Sequence, residues 1–210
     1  MLKYLNMSKT LIITAHPSSK GFTHGIANTV AEKRREDGGE VEIIDLYKTN
    51  LTQDYLRFEN IKEVTADPHR DVIQQKITEA NELIFVHPIW WLSMPAIMKN
   101  FVDNNFTSRF AYKYINHKRV GLLKGKTARV YVTCDAPFLL YLTLALPYLT
   151  VWVAGILMFC GIEVTGFTII RNRAFKNDEE RSRFLIKLKD RSRHISFFLK
   201  LLDKVADIIQ

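Results

Sequence analysis

Short apolar runs alternate with longer segments of helical periodicity along the first half of the chain. Residues 11–15 form an apolar run of strand length, and apolar positions then recur at helical spacing over residues 22–31. Residues 41–46 predict a second strand. Residues 83–86 predict a third, which is apolar throughout, as a strand buried on both faces of a sheet should be.

The sequence predicts the N-termini of two helices after the second strand. The pair Asp67-Pro68 suits a helix N-terminus and predicts a helix over residues 68–79. Ser93 predicts the N-cap of a further helix, with Pro95 in its first turn. Each predicted helix is adjacent to a predicted strand, so the alternation continues.

The second half of the chain adds two strands and a tail. Residues 128–133 and 162–170 predict the fourth and fifth strands, and residues 178 to about 207 predict a helical tail. Alternating strands and helices imply an α/β fold with a parallel sheet covered on both faces, whose ligands bind at the carboxyl ends of the strands. We expect residues 1–210 to form a single domain that begins with a flexible segment, residues 1–8.

The net charge and the two cysteines limit the ligands and the compartment that the chain can be expected to have. A formal charge of +8 suits an anionic cofactor, a membrane surface or nucleic acid, but we find no nucleic-acid motif. Cys134 and Cys160 lack the spacing of a metal site or a disulfide scaffold. We therefore expect no metal and a reducing compartment, the cytoplasm. The apolar run at the N-terminus is too short for a signal peptide.

The loop after the first strand, residues 16–23, carries hydroxyls, a lysine and a glycine and leads into a helix. It lacks the G-x-G-x-x-G dinucleotide fingerprint. The N–H groups and dipole of a helix N-terminus attract an anion, to which Ser18, Lys20 and Thr23 add donors and charge. The loop therefore predicts a phosphate site, with an ordinary capped turn as the alternative.

Two adjacent tryptophans, Trp90 and Trp91, lie between Pro88 and Pro95 in the loop after the third strand. A flat aromatic cofactor such as isoalloxazine needs an apolar wall and backbone donors at its ring edge, and this loop supplies both. Because cofactor sites lie at strand carboxyl ends, the position favours this interpretation over packing of both tryptophans in the core.

The third loop, Thr133-Cys134-Asp135, follows the fourth strand and is expected to face the same crevice. Asp135 either balances a basic group or terminates the strand. Cys134 is expected to be a small packed residue, since no histidine that could activate it lies beside it in the sequence.

In their order along the chain, these loops resemble the NAD(P)H:quinone oxidoreductases of the DT-diaphorase type. The resemblance spans roughly residues 10–170 and is most specific in the block HPIWWLSMPAIMKN. It implies a flavodoxin-like fold with a five-stranded parallel sheet in the order 2-1-3-4-5. The segments that carry it are LIITAHPSSKGFT, ELIFVHPIWWLSMPAIMKNFVDNNF, RFAYKY, GKTARVYVTCDAP and AGILMFCGIEV.

The resemblance implies a bound flavin, either FMN or FAD, with NADH or NADPH as co-substrate. Tyr141 matches, with a spacing difference of one residue, a tyrosine near the flavin carbonyl and is the candidate catalytic residue. The aromatic residues expected to line the acceptor pocket are Tyr112, Tyr114 and Phe138. The expected cofactor-binding residues are His16, Ser18, Phe22, Thr23, Pro88, Ile89, Trp90, Trp91, Leu92, Thr133, Cys134 and Asp135.

The activity implied is hydride transfer from NAD(P)H, through the flavin, to a quinone-like acceptor. The alternative is a flavin-binding redox regulatory subunit of a transport system with little turnover. The chain departs from DT-diaphorase at two places. It has Thr133-Cys134-Asp135 where that enzyme has Thr-Gly-Gly, and no histidine follows Tyr141, which argues against a tyrosine–histidine relay at that tyrosine.

Residues 137–160 contain no charged residue. Their length suits a membrane span, but Pro147 interrupts them and the strands on either side must join one sheet. The stretch therefore predicts a loop carrying Phe138 and Tyr141 near the flavin, followed by a helix from Tyr148 to Phe159. We expect a second copy of the chain to cover the surplus apolar surface in a homodimer, with docking on a bilayer surface as the alternative.

Overall fold

A five-stranded parallel sheet forms the centre of the computed structural model, which describes residues 8–58, 67–135, 147–171 and 175–191. The strands are β1 (Lys9–Thr14), β2 (Glu40–Asp45), β3 (Glu82–Pro88), β4 (Tyr112–Ile115), β5 (Lys118–Gly121), β6 (Thr127–Cys134) and β7 (Glu163–Arg171). Strands β4 and β5 form a separate hairpin, and the sheet has the order β2-β1-β3-β6-β7. Counted without the hairpin this is the order 2-1-3-4-5, so the predicted topology is confirmed.

Helices cover both faces of the sheet. They are α1 (Phe22–Glu36), α2 (Pro68–Glu79), α3 (Ala96–Asn105) and α4 (Asp178–Arg191), with a π-helix at Thr150–Leu157 that continues into a 3-10 turn at Met158–Cys160. Side chains alternate along β3. Phe85 packs in a core cluster with Ile77 of α2 and Met98 of α3, whereas Val86 packs in the opposite cluster with Ile26 of α1. Burial on both faces explains why β3 is apolar throughout.

The helix predicted after Asp67 has the predicted limits, and the Asp67 side chain accepts a hydrogen bond from the backbone N–H of His69 at 2.9 Å. The N-cap predicted at Ser93 is wrong. Helix α3 begins at Ala96 with Pro95 in the N-cap position. The residue before a proline is disfavoured in helical conformation, so the helix cannot start before Pro95. Ser93 instead closes a turn with Trp90 through two backbone hydrogen bonds of 2.9 Å.

The hairpin β4–β5 has no counterpart among the predicted elements. Its two-residue turn consists of Asn116 and His117, with φ of +49° and +63°, which is the geometry that matches the twist of paired strands. The hairpin packs closely against the 3-10 turn, because a Cβ on Gly121 would lie 2.4 Å from the backbone nitrogen of Gly161. Only glycine permits this approach of two backbones.

The described part of the apolar stretch begins at Pro147 and is helical as far as Cys160. A helix was predicted here, but its π-type winding was not. Trp152 and Leu157 are fully buried in the core. Phe138 and Tyr141 lie outside the described residues, as does the predicted tail beyond residue 191. Among the helices of the described residues, none has both the length and the apolarity to cross a bilayer.

Candidate cofactor site at the carboxyl edge of the sheet

The three loops singled out in the sequence meet at one cavity of about 610 Å³. They converge because Thr14 of β1 pairs with Val86 of β3, and Pro88 of β3 pairs with Thr133 of β6. The carboxyl ends of the three parallel strands therefore lie side by side. The cavity is lined by His16, Lys20, Gly21, Phe22, Thr23, Pro88, Ile89, Trp90, Trp91, Thr133, Cys134, Asp135 and Arg181.

One end of the cavity has the features of an anion site. Helix α1 begins there with Gly21 as N-cap, and within the described residues no side chain caps it. The first intrahelical bonds are donated by His24 and Gly25, so the backbone N–H groups of Phe22 and Thr23 have no partner within the helix. These groups, the positive end of the helix dipole and Lys20 all favour a negative charge.

Arg181, on α4, adds a second cation to this cavity, although no sequence pattern indicated it. Its guanidinium Nη1 bonds the carboxylate of Asp178 at 2.6 Å. Its Nε is buried and, within the described part of the chain, has no hydrogen-bond partner. A buried N–H without a partner is costly, and an acceptor bound in the cavity would satisfy it. The residue lies 158 positions from Thr23, so no local pattern could have indicated their proximity.

His16 organises the first loop. Its Nδ1 lies 3.1 Å from the backbone nitrogen of Ser18 and 3.0 Å from the Ser18 carbonyl oxygen. A Cβ on Gly21 would lie 3.0 Å from the His16 ring, so the loop folds tightly around the imidazole. Its ring also approaches Trp90 at 6.3 Å between centroids, which links the first loop to the second. Ser18 itself does not line the cavity.

Trp90 and Trp91 form the wall of the cavity on the second loop. Trp91 is 99% exposed and Trp90 is 40% exposed, so the alternative that both pack in the core is wrong. Trp91 and Leu92 occupy the centre of the turn closed by Trp90 and Ser93, with φ of +50° and +61°. Bulky side chains rarely adopt this left-handed conformation, and it is a known form of strain at functional sites. Leu92 is exposed and does not line the cavity.

The third loop joins the first through two hydroxyl groups. Thr133 Oγ1 lies 3.4 Å from Thr23 Oγ1, and both residues are buried. Cys134 is half-buried and carries a reduced thiol, and Asp135 is exposed. The three loop residues lie opposite the start of α1, as expected for the third side of a cofactor cavity.

A buried polar cluster lies directly behind the second loop. His87 is fully buried, and burial lowers its pKa to about 4. Its ring stacks on Trp152 at 5.4 Å between centroids. Tyr148 Oη lies 3.4 Å from Nδ1 and 3.5 Å from Nε2 of His87. Burial also raises the pKa of Tyr148. A tyrosine and a histidine are therefore paired here, but not at the positions that the resemblance indicated.

Tyr112 and Tyr114 lie on the hairpin and do not line the cavity of this single chain. Tyr112 is half-buried, and its ring packs edge-on against Phe159 at 4.9 Å between centroids. Tyr114 is exposed. Phe138 and Tyr141 lie outside the described residues. Within the described ranges, no three His, Cys, Asp or Glu side chains cluster in a way that could hold a metal ion.

Comparison with known proteins gives a family and close relatives. The model of the Flavodoxin_2 family, described as a flavodoxin-like fold, matches residues 8–191. An NAD(P)H oxidoreductase of Haemophilus influenzae, described as uncharacterized, is 31% identical over 177 residues, which cover 81% of this chain and 87% of that protein. An FMN-dependent NADH:quinone oxidoreductase of Clostridium beijerinckii is 31% identical over 137 residues, covering 60% of this chain and 68% of that protein.

Among solved structures, Smu.1420 from Streptococcus mutans UA159 superimposes with a TM-score of 0.74 at 29% identity. The match covers 88% of this chain and 98% of that one. The family match over residues 8–191 spans the whole sheet and the three loops around the cavity.

Proposed function

The chain belongs to the Flavodoxin_2 family of flavodoxin-like proteins, and on that premise we propose that it is a flavin-dependent NAD(P)H:quinone oxidoreductase. The observation that carries the proposal is one cavity with an anion site at the start of α1 and an aromatic wall at Trp90 and Trp91. A flavin nucleotide has a phosphate at one end and a flat apolar ring at the other. The names of the Haemophilus and Clostridium relatives support the same reaction.

The lining residues fit a flavin in their donor chemistry. The N–H groups of Phe22 and Thr23 would hold the phosphate together with Lys20 and Arg181, whose buried Nε has no acceptor among the residues that the structure describes. Ile89, Trp90 and Trp91 would lie against the isoalloxazine ring, and Thr133, Cys134 and Asp135 would face its other edge. We take the flavin to be FMN, because the Clostridium relative is named FMN-dependent.

A flavin bound in this cavity would supply the redox chemistry, taking a hydride from NAD(P)H and passing it to a quinone. The chain's contribution is to bind, orient and shield the reacting ring. Two backbone hydrogen bonds between Trp90 and Ser93 close the turn and hold the backbone from which the two tryptophan side chains project. The formal charge of +8 favours the approach of anionic NAD(P)H.

We also propose that the protein acts in the cytoplasm as a homodimer. Trp91, Leu92, Tyr114 and Ile115 expose large apolar side chains on the second loop and at the hairpin tip. Exposed apolar surface of this kind favours contact with a second copy, which would bring Tyr112 and Tyr114 over the acceptor site of its partner. The two reduced cysteines favour a reducing compartment. The alternative is that the same apolar residues dock on a bilayer surface.

The proposal is tested on purified protein. Heat release followed by chromatography should identify FMN, and steady-state kinetics with NADH and NADPH should show rapid reduction of a panel of quinones. A protein that remains colourless after addition of FMN and FAD would refute it. Flavin binding with negligible turnover would point to the regulatory alternative. Light scattering without detergent should report a dimer, whereas a monomer would refute that part.

A further inference from the structure

His87 is adjacent in the chain to a residue that lines the cofactor cavity. It is the residue before Pro88, which lines the cavity, yet its own side chain is fully buried and does not line the cavity. Its ring lies between β3 and the π-helix, stacked on Trp152 with an interplanar angle of 28°. Nothing in the proposed chemistry requires a buried imidazole at this place, so its contacts need a separate explanation.

Two of the hydrogen bonds in this cluster have a fixed direction. His87 Nδ1 lies 2.9 Å from the carbonyl oxygen of Pro88, and a carbonyl only accepts, so Nδ1 carries the hydrogen. Trp152 Nε1 donates to Tyr148 Oη at 3.1 Å. The Tyr148 hydroxyl oxygen lies almost equally far from the two ring nitrogens, 3.4 Å from Nδ1 and 3.5 Å from Nε2, so it contacts the imidazole without pointing at one nitrogen. The imidazole is neutral at pH 7, since burial lowers its pKa to about 4.

The hydrogen bond from His87 affects the backbone at the carboxyl end of β3, next to the cavity. His87 engages the Pro88 carbonyl, and the next backbone N–H, that of Ile89, donates to the Thr133 carbonyl at 2.8 Å. The peptide unit between Pro88 and Ile89 is therefore held at both of its polar atoms. The turn that carries Trp90 and Trp91 follows directly, so its orientation depends on this peptide.

We propose that His87 is a positioning residue for the cofactor loop: its Nδ1–H holds the Pro88 carbonyl so that residues 89–91 present one fixed surface to the flavin. Tyr148 and Trp152 hold the ring that makes this contact. The inference rests on the proposed flavin-binding function and extends it to a residue that does not touch the flavin.

The test uses two polar substitutions of similar character. In His87→Asn the amide nitrogen can take the place of Nδ1 and donate to Pro88. In His87→Gln the amide lies one carbon farther out, at the place of Nε2, and the contact with Pro88 is lost. FMN dissociation constants are measured by flavin fluorescence on full-length protein, and melting temperatures are recorded without flavin.

We expect the Asn variant to bind FMN within about twofold of the parent and the Gln variant to bind about fivefold more weakly, at similar melting temperatures. Equal affinities for the two variants, or affinities that only follow their melting temperatures, would overturn the inference. Tyr148→Phe, which leaves the Pro88 contact in place, should weaken FMN binding less than the Gln variant does, and a larger loss would also overturn it. A parent protein that binds no flavin would refute the proposed function itself, whereas a flavin-binding parent with indistinguishable variants would refute only the role of His87.

Discussion

The hydroxyl oxygens of Thr23 and Thr133 lie 3.4 Å apart, joining the first turn of α1 to the carboxyl end of β6. The two residues are 110 positions apart in the chain, and both are buried. This contact therefore links the start of α1, where the anion site lies, to the third loop.

Replacing Thr133 with Val should remove this contact while preserving the shape of the side chain. Because one buried hydroxyl of Thr23 then loses its partner, we expect the free energy of unfolding to fall by about 1–2 kcal/mol. FMN should also bind less tightly, because the first and third loops are no longer linked. Urea denaturation and flavin titration measure the two effects. Thr165→Val, which removes a threonine hydroxyl from β7 away from the cavity, is the control for flavin binding.

Substitution of Trp91 separates cofactor binding from stability. The side chain is 99% exposed, so Trp91→Ala should leave the melting temperature almost unchanged. It should raise the FMN dissociation constant about threefold or more, because the aromatic wall is lost. Tyr55→Ala, at an exposed aromatic residue that does not line the cavity, is the matched control. Unchanged affinity and unchanged reduction kinetics in the Trp91 variant would contradict the site assignment.

Trp91→Gly tests the backbone strain of the same turn. Glycine adopts the positive φ of +50° at little steric cost, whereas tryptophan does not. We therefore expect Trp91→Gly to be more stable than Trp91→Ala by about 0.5–1 kcal/mol while binding FMN no better. Denaturant titration of the two variants measures the difference. A glycine variant less stable than the alanine variant would show that the turn is not strained.

Arg181 should recognise the phosphate rather than the ring. Arg181→Gln is expected to raise the dissociation constant for FMN about tenfold, since a charge-assisted hydrogen bond is lost, and to leave that for riboflavin, which has no phosphate, nearly unchanged. Arg183→Gln is the control, because Arg183 lies on the same helix and does not line the cavity. Equal losses for the two flavins would argue against a phosphate contact.

The buried imidazole of His87 should make stability depend on pH in acid. Its pKa is lowered from 6.5 to about 4, so the unfolded chain binds the proton more readily than the folded one. The contribution of neutral His87 to the free energy of unfolding is therefore complete above about pH 6.5. It is lost as the pH falls towards 4, and the loss amounts to at most about 3 kcal/mol. The drop in unfolding free energy between pH 7 and pH 4.5 should be smaller in His87→Asn than in the parent. Parallel pH profiles would contradict the neutral, buried state.

Tyr114 tests the acceptor pocket and the dimer together. Tyr114→Ala should raise the KM for quinones more than it changes the melting temperature, because the side chain is exposed in the single chain. Tyr47→Ala, at an exposed tyrosine after β2, is the control. If Tyr114 acts in the site of the partner, mixed dimers of the Tyr114→Ala chain and a flavin-deficient chain should recover one normal site. Kinetics of the parent and variant that do not differ would rule out its role.

The sequence by itself determined the sheet and most of the cavity. The apolar runs and the helix start at Asp67-Pro68 agree with the structure because they depend on local periodicity and local capping chemistry, and the strand order that the family resemblance implied agrees as well. Loop residues at the ends of parallel strands must meet at one edge, so ten of the twelve expected cofactor-binding residues line the cavity, and Ser18 and Leu92 do not.

Only the tertiary structure decided the rest, and in each case the reason is distance along the chain or backbone geometry. Arg181 reaches the cavity because α4 packs against α1. His87 meets Tyr148, 61 positions away, because the helical segment after Pro147 packs on β3, where Trp152 contacts Phe85. The Trp90–Ser93 turn and the hairpin at Asn116 and His117 use positive φ angles without the glycine that would have indicated them. Periodicity specifies which face of an element is buried, but side-chain contacts between distant elements follow from how those faces pack, which no local pattern contains.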